Sequence, residues 1–134
     1  MKMTILLFAL CTALSAHIAS ADVVADMLAT YQAAGAKDFI ASDGDRLWHQ
    51  SHPDPKQAGK TRSCTTCHGE DLRAKGKHVR TGKVIEPMAP SVNKERLTDP
   101  KFIEKWFRRN CKWVLGRECT PQEKGDLLAY LRKQ

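Results

Sequence analysis

Beyond its first twenty-one residues the chain has no segment apolar enough to cross a membrane, which excludes a membrane-embedded body. It has no sustained alternation of apolar and polar residues, so neither a sandwich nor a barrel is expected. No internal repeat is present, which excludes a solenoid. Apolar side chains are also scarce for a self-sufficient core. Of 134 residues, 42% are hydrophobic and only 7% aromatic, enough for one small domain that needs further buried surface from elsewhere.

What is present begins with an export signature. Lys2 precedes the apolar run ILLFALCTAL, and AHIASA follows with small residues at Ala19 and Ala21. The run is shorter than the ~20 residues of a membrane span. It reads as a secretory signal peptide over residues 1–21, cut after Ala21 and taking Cys11 with it. The mature domain is then residues 22–134, exported, soluble and periplasmic. The formal charge of the whole chain is +7. Outside the cytoplasm nucleic acid is not the expected partner. An acidic redox protein, attracted by electrostatic steering, is.

The predicted elements are helical. Val23, Val24, Met27, Leu28 and Tyr31 fall at helical spacing. A second short helix is expected in ASDGDRLWHQSH, with Ser42 or Asp43 as its cap. HPDPKQAGKTRS reads as a loop, and EDLRAKGKHVRTGKVIEPMAPSVN as a long basic loop without strands. Asp99 caps the next helix, KFIEKWFRRN, with Pro100 in its first turn. Thr120, Pro121 and Glu123 open the last one with a capping box, ahead of a Leu127, Leu128 and Leu131 stripe flanked by Tyr130.

The chemistry centres on Cys64-Thr65-Thr66-Cys67-His68. Two thiols at this spacing reach both vinyl groups of one haem, and the next residue places an imidazole under the iron. A zinc site would want a second ligand pair, and none is present. A redox dithiol would not need the His. The motif occurs once, so one covalent haem c is expected, held by Cys64 and Cys67 and ligated by His68. The macrocycle also supplies the missing buried surface. Of the other cysteines, Cys111 and Cys119 are expected to pair in an oxidising compartment.

The second axial ligand is the open question. Met88, in the Pro-flanked loop IEPMAPS, is one candidate, since methionine is the usual choice in electron-transfer cytochromes c. His49, His52 and His78 are others, more readily read as surface residues. Asn110 is a further one. Ile103, Trp106, Phe107 and Asn110 share a helical face, which aims an amide where apolar side chains point. The alternative for Asn110 is a common helix C-terminal asparagine.

These segments also carry a likeness. SCTTCHG, TGKVIEPMAPS, RLTD and above all RRNCKWVLGRECTPQEKGDLLAYL resemble the sphaeroides haem protein (SHP) family and its relative cytochrome c″. The resemblance covers most of the mature chain. It implies an all-α, class I cytochrome c-like fold around one haem, with His68 as proximal ligand. It further implies Asn110 as distal ligand of ferric iron, beside a Cys111–Cys119 disulfide. In that family the asparagine detaches on reduction, and the five-coordinate ferrous haem binds O2 or NO. Electron exchange with a dihaem cytochrome c and a membrane b-type cytochrome is implied as well. Met88 falls where the family pattern tolerates a leucine, which argues against it as the ligand, but the presence of a methionine there keeps an ordinary His68/Met88 electron carrier as the rival reading. An enzymatic reading, turnover of O2 or NO at an open iron, is the third. No distal general acid is evident for it.

Overall fold

Asp22 opens the first helix by accepting hydrogen bonds from the backbone N–H groups of Val24 and Ala25. The computed structural model describes residues 22–134; the expected signal peptide, with Cys11, lies outside the described residues. Helix α1 (Val23–Ala33) buries Val24, Met27 and Tyr31, as its spacing predicts. Helix α2 (Ala41–His49) buries Gly44 and Trp48. Neither Ser42 nor Asp43 caps it. The helix begins one residue earlier, and the Ile40 N–H donates instead to the carboxylate of Asp126, far along the chain, at 2.8 Å. Asp126 is buried on the last helix and also accepts from Gln122. A local pattern could not foresee a cap delivered from 86 residues away.

Two segments expected as plain loops contain minimal antiparallel hairpins. Strands β1 (His52–Pro53) and β2 (Thr61–Arg62) pair His52 with Arg62, just before the cysteine motif. Helix α3 (Thr65–His68) is a single turn within that motif. Strands β3 (Gly76–Lys77) and β4 (Val84–Ile85) pair after it. Strands this short carry no readable period, so the helical expectation for the whole stands.

Helix α4 (Pro100–Leu115) is capped by Asp99, whose carboxylate accepts from the N–H groups of Lys101 and Phe102. It buries Ile103, Phe107, Cys111 and Val114 and stops at Gly116, whose φ of +74° suits a residue without Cβ. Helix α5 (Pro121–Leu131) starts with the full Thr120/Glu123 capping box and buries Leu127, Leu128 and Leu131. A disulfide joins Cys111 to Cys119 across the α4–α5 turn, with Cα atoms 5.6 Å apart.

The core forms where α5 meets α1 and α2. The α2–α5 crossing is close because Gly44 has no Cβ: one added there would stand 2.0 Å from the Asp126 carbonyl oxygen. Gly125 gives Phe39 the same intimacy on α5. Glu104 on α4 ties the third side. It accepts from Tyr31 of α1 and, at 2.7 Å, from Lys124 of α5. Burial, the largest single influence, would raise its carboxyl, but the two hydrogen bonds together with the charges of Lys124 and Arg108 outweigh it and hold the group below the usual range.

Candidate functional site

The cysteine motif is ordered by its own backbone and hydroxyls. His68 N–H donates to the Cys64 carbonyl at 3.1 Å and Gly69 N–H to that of Thr65 at 2.8 Å. Ser63 N–H donates to the Thr66 hydroxyl at 2.9 Å, and the Ser63 and Thr65 hydroxyls bond each other at 2.7 Å. One helical turn sets Cys64, Cys67 and His68 at i, i+3 and i+4, on a single face. Gly69, with φ of +73°, ends the turn directly after the histidine. The β3 strand lies against its back: a Cβ on Gly76 would meet the Cys67 carbonyl at 2.3 Å and the His68 Cα at 2.9 Å.

Burial governs the electrostatics here. It pushes the Cys64 thiol up to about 12, so Cys64 is not a stored thiolate. Burial, with a smaller contribution from the positive charge of Arg96, takes His68 down to about 4. Its imidazole is therefore neutral at physiological pH, the form that ligates a metal. Trp48 of α2 packs beside it with ring centroids 5.2 Å apart, and the Trp48 carbonyl accepts from Cys64 N–H at 3.3 Å. Among the described residues no group of three or more His, Cys, Asp or Glu side chains is arranged to hold a metal ion.

Four buried nitrogens have no hydrogen-bond partner among the described residues: Trp48 Nε1, His52 Nε2, Arg62 Nε and His68 Nδ1. Orphan buried donors are rare in folded proteins. All four surround one motif: Trp48 touches His68, His52 pairs with Arg62, and Arg62 lies two residues before Cys64. A haem would bring two carboxylate arms that can accept from N–H donors such as these, and an iron that takes a lone pair from a neutral imidazole. The thiol pair, the neutral imidazole and these donors together fit that group.

Arg62 also brings the end of α4 to the motif. Its guanidinium donates to the Trp113 carbonyl at 3.0 Å and lies 4.6 Å from the centre of the Trp113 ring. It pairs with Asp54, and this hydrogen bond is the main reason the Asp54 carboxyl lies below its usual range. Trp113 is less than one turn from Asn110. Helix α4 continues past Asn110 to Leu115, so the reading of Asn110 as a helix-ending residue is overturned. Asn110 sits half-buried inside the helix, immediately before the buried Cys111. Its expected companions divide. Ile103 and Phe107 are buried, whereas Trp106 keeps 39% of its surface exposed, flanked by the cations of Lys105 and Arg109.

Met88 lies elsewhere. Its N–H and that of Ala89 both donate to the carbonyl of Leu72, four residues after His68, at 2.9 Å. The loop is therefore fastened to the chain leaving His68. Met88 itself packs half-buried against the core. His49 is a surface residue between the carboxylates of Asp45 and Glu70, each at 3.1 Å. His78 is half-buried and accepts from the N–H groups of its own loop at Arg80 and Thr81. His52 belongs to the orphan cluster. Arg62 and Trp48 were not foreseen. Arg62 falls in a Pro/Gly/Lys stretch with no periodicity, and its role exists only once the hairpin meets α4.

Residues 34–131 match a family described as Domain of unknown function (DUF1924). The chain is 46% identical to the cytochrome c-type protein SHP of Cereibacter sphaeroides, over 82% of this chain and 83% of that one. It is 38% identical to cytochrome c″ of Methylophilus methylotrophus, over 67% of this chain and 61% of that one. Among solved structures, oxidised SHP, described as an oxygen-binding cytochrome c, aligns with a TM-score of 0.73 at 44% identity, covering 83% of this chain and 96% of that one. Oxidised cytochrome c″ aligns with a TM-score of 0.71 at 30% identity, covering 84% and 94%. The helical cytochrome c fold expected from the sequence is thus the one present. The chain belongs to the DUF1924 family and to the SHP family of c-type cytochromes, and it is a monohaem protein with haem c as its cofactor.

Proposed function

We propose that this cytochrome exchanges electrons and, when reduced, binds a diatomic ligand at an iron site that His68 closes from one side and Asn110 closes only in the ferric state. Cys64 and Cys67 hold the haem through thioethers. When bound, the haem supplies one-electron transfer and, with one axial position open, diatomic ligand binding. The observation that carries the Asn110 assignment is the Arg62–Trp113 contact, which runs the turn containing Asn110 alongside the motif. Two further features support it. The Cys111–Cys119 bridge braces the backbone next to Asn110. The Met88 loop is fastened to Leu72 on the chain leaving His68, an awkward origin for a ligand to the opposite face.

The chain's own residues explain the opening. An amide oxygen is a hard, neutral donor that ferric iron accepts and softer ferrous iron holds poorly. Asn110 therefore releases on reduction, and its amide can then donate a hydrogen bond to the incoming diatomic. SHP is described as oxygen-binding, and a solution structure of cytochrome c″ addresses haem-ligand detachment. Both make O2 or NO the ligand class to test here. Electron partners are acidic proteins, with a dihaem cytochrome c and a membrane b-type cytochrome as the first to assay. In the purified protein, carbon monoxide should bind the ferrous form rapidly and in a 1:1 ratio. A ferrous form closed to carbon monoxide would overturn the reading.

A further inference from the structure

Attachment and ligation leave the long basic segment after the cysteine motif without a task. From Arg73 to Lys83 it carries Arg73, Lys75, Lys77, Arg80 and Lys83, and no Asp or Glu. Lys75 pairs with Glu86 at 3.0 Å. The other cations are exposed and have no carboxylate partner among the described residues. The basic residues of α4 are committed locally by comparison. Lys105 and Arg109 lie over the Trp106 ring, and Lys112 pairs with Glu118.

The segment is an ordered hairpin. Strands β3 and β4 pair Gly76 with Ile85 and Lys77 with Val84. At the tip His78 N–H donates to the Lys83 carbonyl and Gly82 N–H to that of His78, both at 2.8 Å. The half-buried His78 ring accepts from Thr81 N–H at 3.2 Å and pins the turn from inside. Lys77, Arg80 and Lys83 thus surround one fixed turn, with Val79 55% exposed among them. Like charges held together repel one another, and they suit a partner of the opposite sign. The base of the hairpin gives that charge its location. A Cβ on Gly76 would stand 2.3 Å from the Cys67 carbonyl oxygen and 2.9 Å from the His68 Cα, so β3 is in backbone contact with the haem motif.

We propose that the β3–β4 hairpin is the docking surface for an acidic electron-transfer protein, whose carboxylates meet Lys77, Arg80 and Lys83 around an apolar contact at Val79. The inference rests on the electron-exchange reading and is independent of which residue closes the far side of the iron. A partner seated on the hairpin stands beside the covalent attachment turn, where electrons must enter or leave. An anionic membrane is the other surface that basic segments seek. Surface-bound segments anchor through Trp, Phe or Leu, and the turn from Lys77 to Lys83 has none of these. A small apolar centre with a charged rim is the anatomy of a transient protein contact.

Isothermal titration calorimetry of the ferric holoprotein with an oxidised plant-type [2Fe–2S] ferredoxin, an acidic electron-transfer protein, tests this with no electron moving. Wild type should bind, and its affinity should fall as salt is raised. In about 0.1 M salt, where the Debye length is about 10 Å, Lys77→Glu/Arg80→Glu should weaken binding by about tenfold. Lys77→Gln/Arg80→Gln should weaken it by less. Lys37→Glu/Lys133→Glu removes as much net charge from other exposed positions and should change binding by no more than about twofold. The ferrous carbon monoxide spectrum should be the same in all three variants, which shows the haem site intact. No binding by wild type, or an equal loss in the hairpin and control pairs, would overturn the proposal. So would hairpin-dependent binding to vesicles of phosphatidylglycerol and phosphatidylcholine with ferredoxin binding unchanged. Electron exchange itself is read separately, by stopped-flow reduction of the wild-type haem with reduced ferredoxin. A haem that is reduced while the hairpin and control pairs bind alike refutes the docking surface alone, and a haem that is not reduced refutes the electron-exchange reading and the proposal with it.

Discussion

Replacing Gly44 by alanine should unseat the α2–α5 crossing that stands behind the haem motif. The new Cβ would lie 2.0 Å from the Asp126 carbonyl oxygen, 2.5 Å from its carbon and 2.8 Å from the Tyr130 Cβ. An ordinary carbon–oxygen contact is about 3.3 Å, so the two helices must part by roughly 1.3 Å. Two of these obstacles are backbone atoms and cannot rotate away. Overpacking of this kind costs about 1–3 kcal/mol and at times more. Helix propensity acts the other way, since alanine is favoured over glycine by about 1 kcal/mol. Parting the helices also loosens Trp48, which lies against His68, and Leu128, which is fully buried. A net loss of about 1 kcal/mol follows at the midpoint of these terms, or a fall in Tm of about 3–6 °C for a domain of this size. Thermal melting of the oxidised holoprotein by far-UV circular dichroism measures it. A Tm equal to or above wild type would refute the crossing, because propensity alone predicts a gain.

Gly76→Ala should leave the helices folded and lower the yield of covalently attached haem, read as the Soret-to-protein absorbance ratio, since its Cβ would collide with Cys67 and His68. Asp126→Ala removes the tertiary cap on Ile40 and the acceptor for Gln122, and should cost about 1–3 kcal/mol in a urea titration. Glu123 is held below the usual carboxyl range chiefly by its hydrogen bond from Arg117. Its contribution is present above the unfolded value and lost as pH falls through the lower folded value. The Tm gap between wild type and Glu123→Gln should therefore narrow between pH 6 and pH 3. Replacing Cys111 and Cys119 together by serine should cost roughly 2–3 kcal/mol from the lost loop constraint. It should also broaden the ferric spin-state mixture seen by electron paramagnetic resonance.

What the chain declares openly is local. Asp99 before Pro100, and Thr120 with Glu123, mark their helices because caps act over three residues. Cys64, Cys67 and His68 announce themselves because the chemistry demands that spacing. Long-range partners leave no such mark. The cap of α2 comes from Asp126, and the clamp on Trp113 comes from Arg62. Helical phase alone treated Trp106 as a partner of Phe107, yet the two differ in burial, because a 3.6-residue period leaves the edge of a stripe undecided. Asn110 was legible as an inward-leaning polar residue. That it lies inside α4 and not at its end became plain only with the helix traced to Leu115.

Absorption spectra of wild type, Asn110→Ala and Met88→Leu, each ferric, ferrous and ferrous with carbon monoxide, test the iron site most directly. His68/Asn110 ligation predicts a wild-type ferric spectrum without the far-red methionine–iron charge-transfer band. It predicts a changed ferric spin state in Asn110→Ala, and a Met88→Leu protein indistinguishable from wild type. A far-red band in wild type that disappears in Met88→Leu and persists in Asn110→Ala would contradict it.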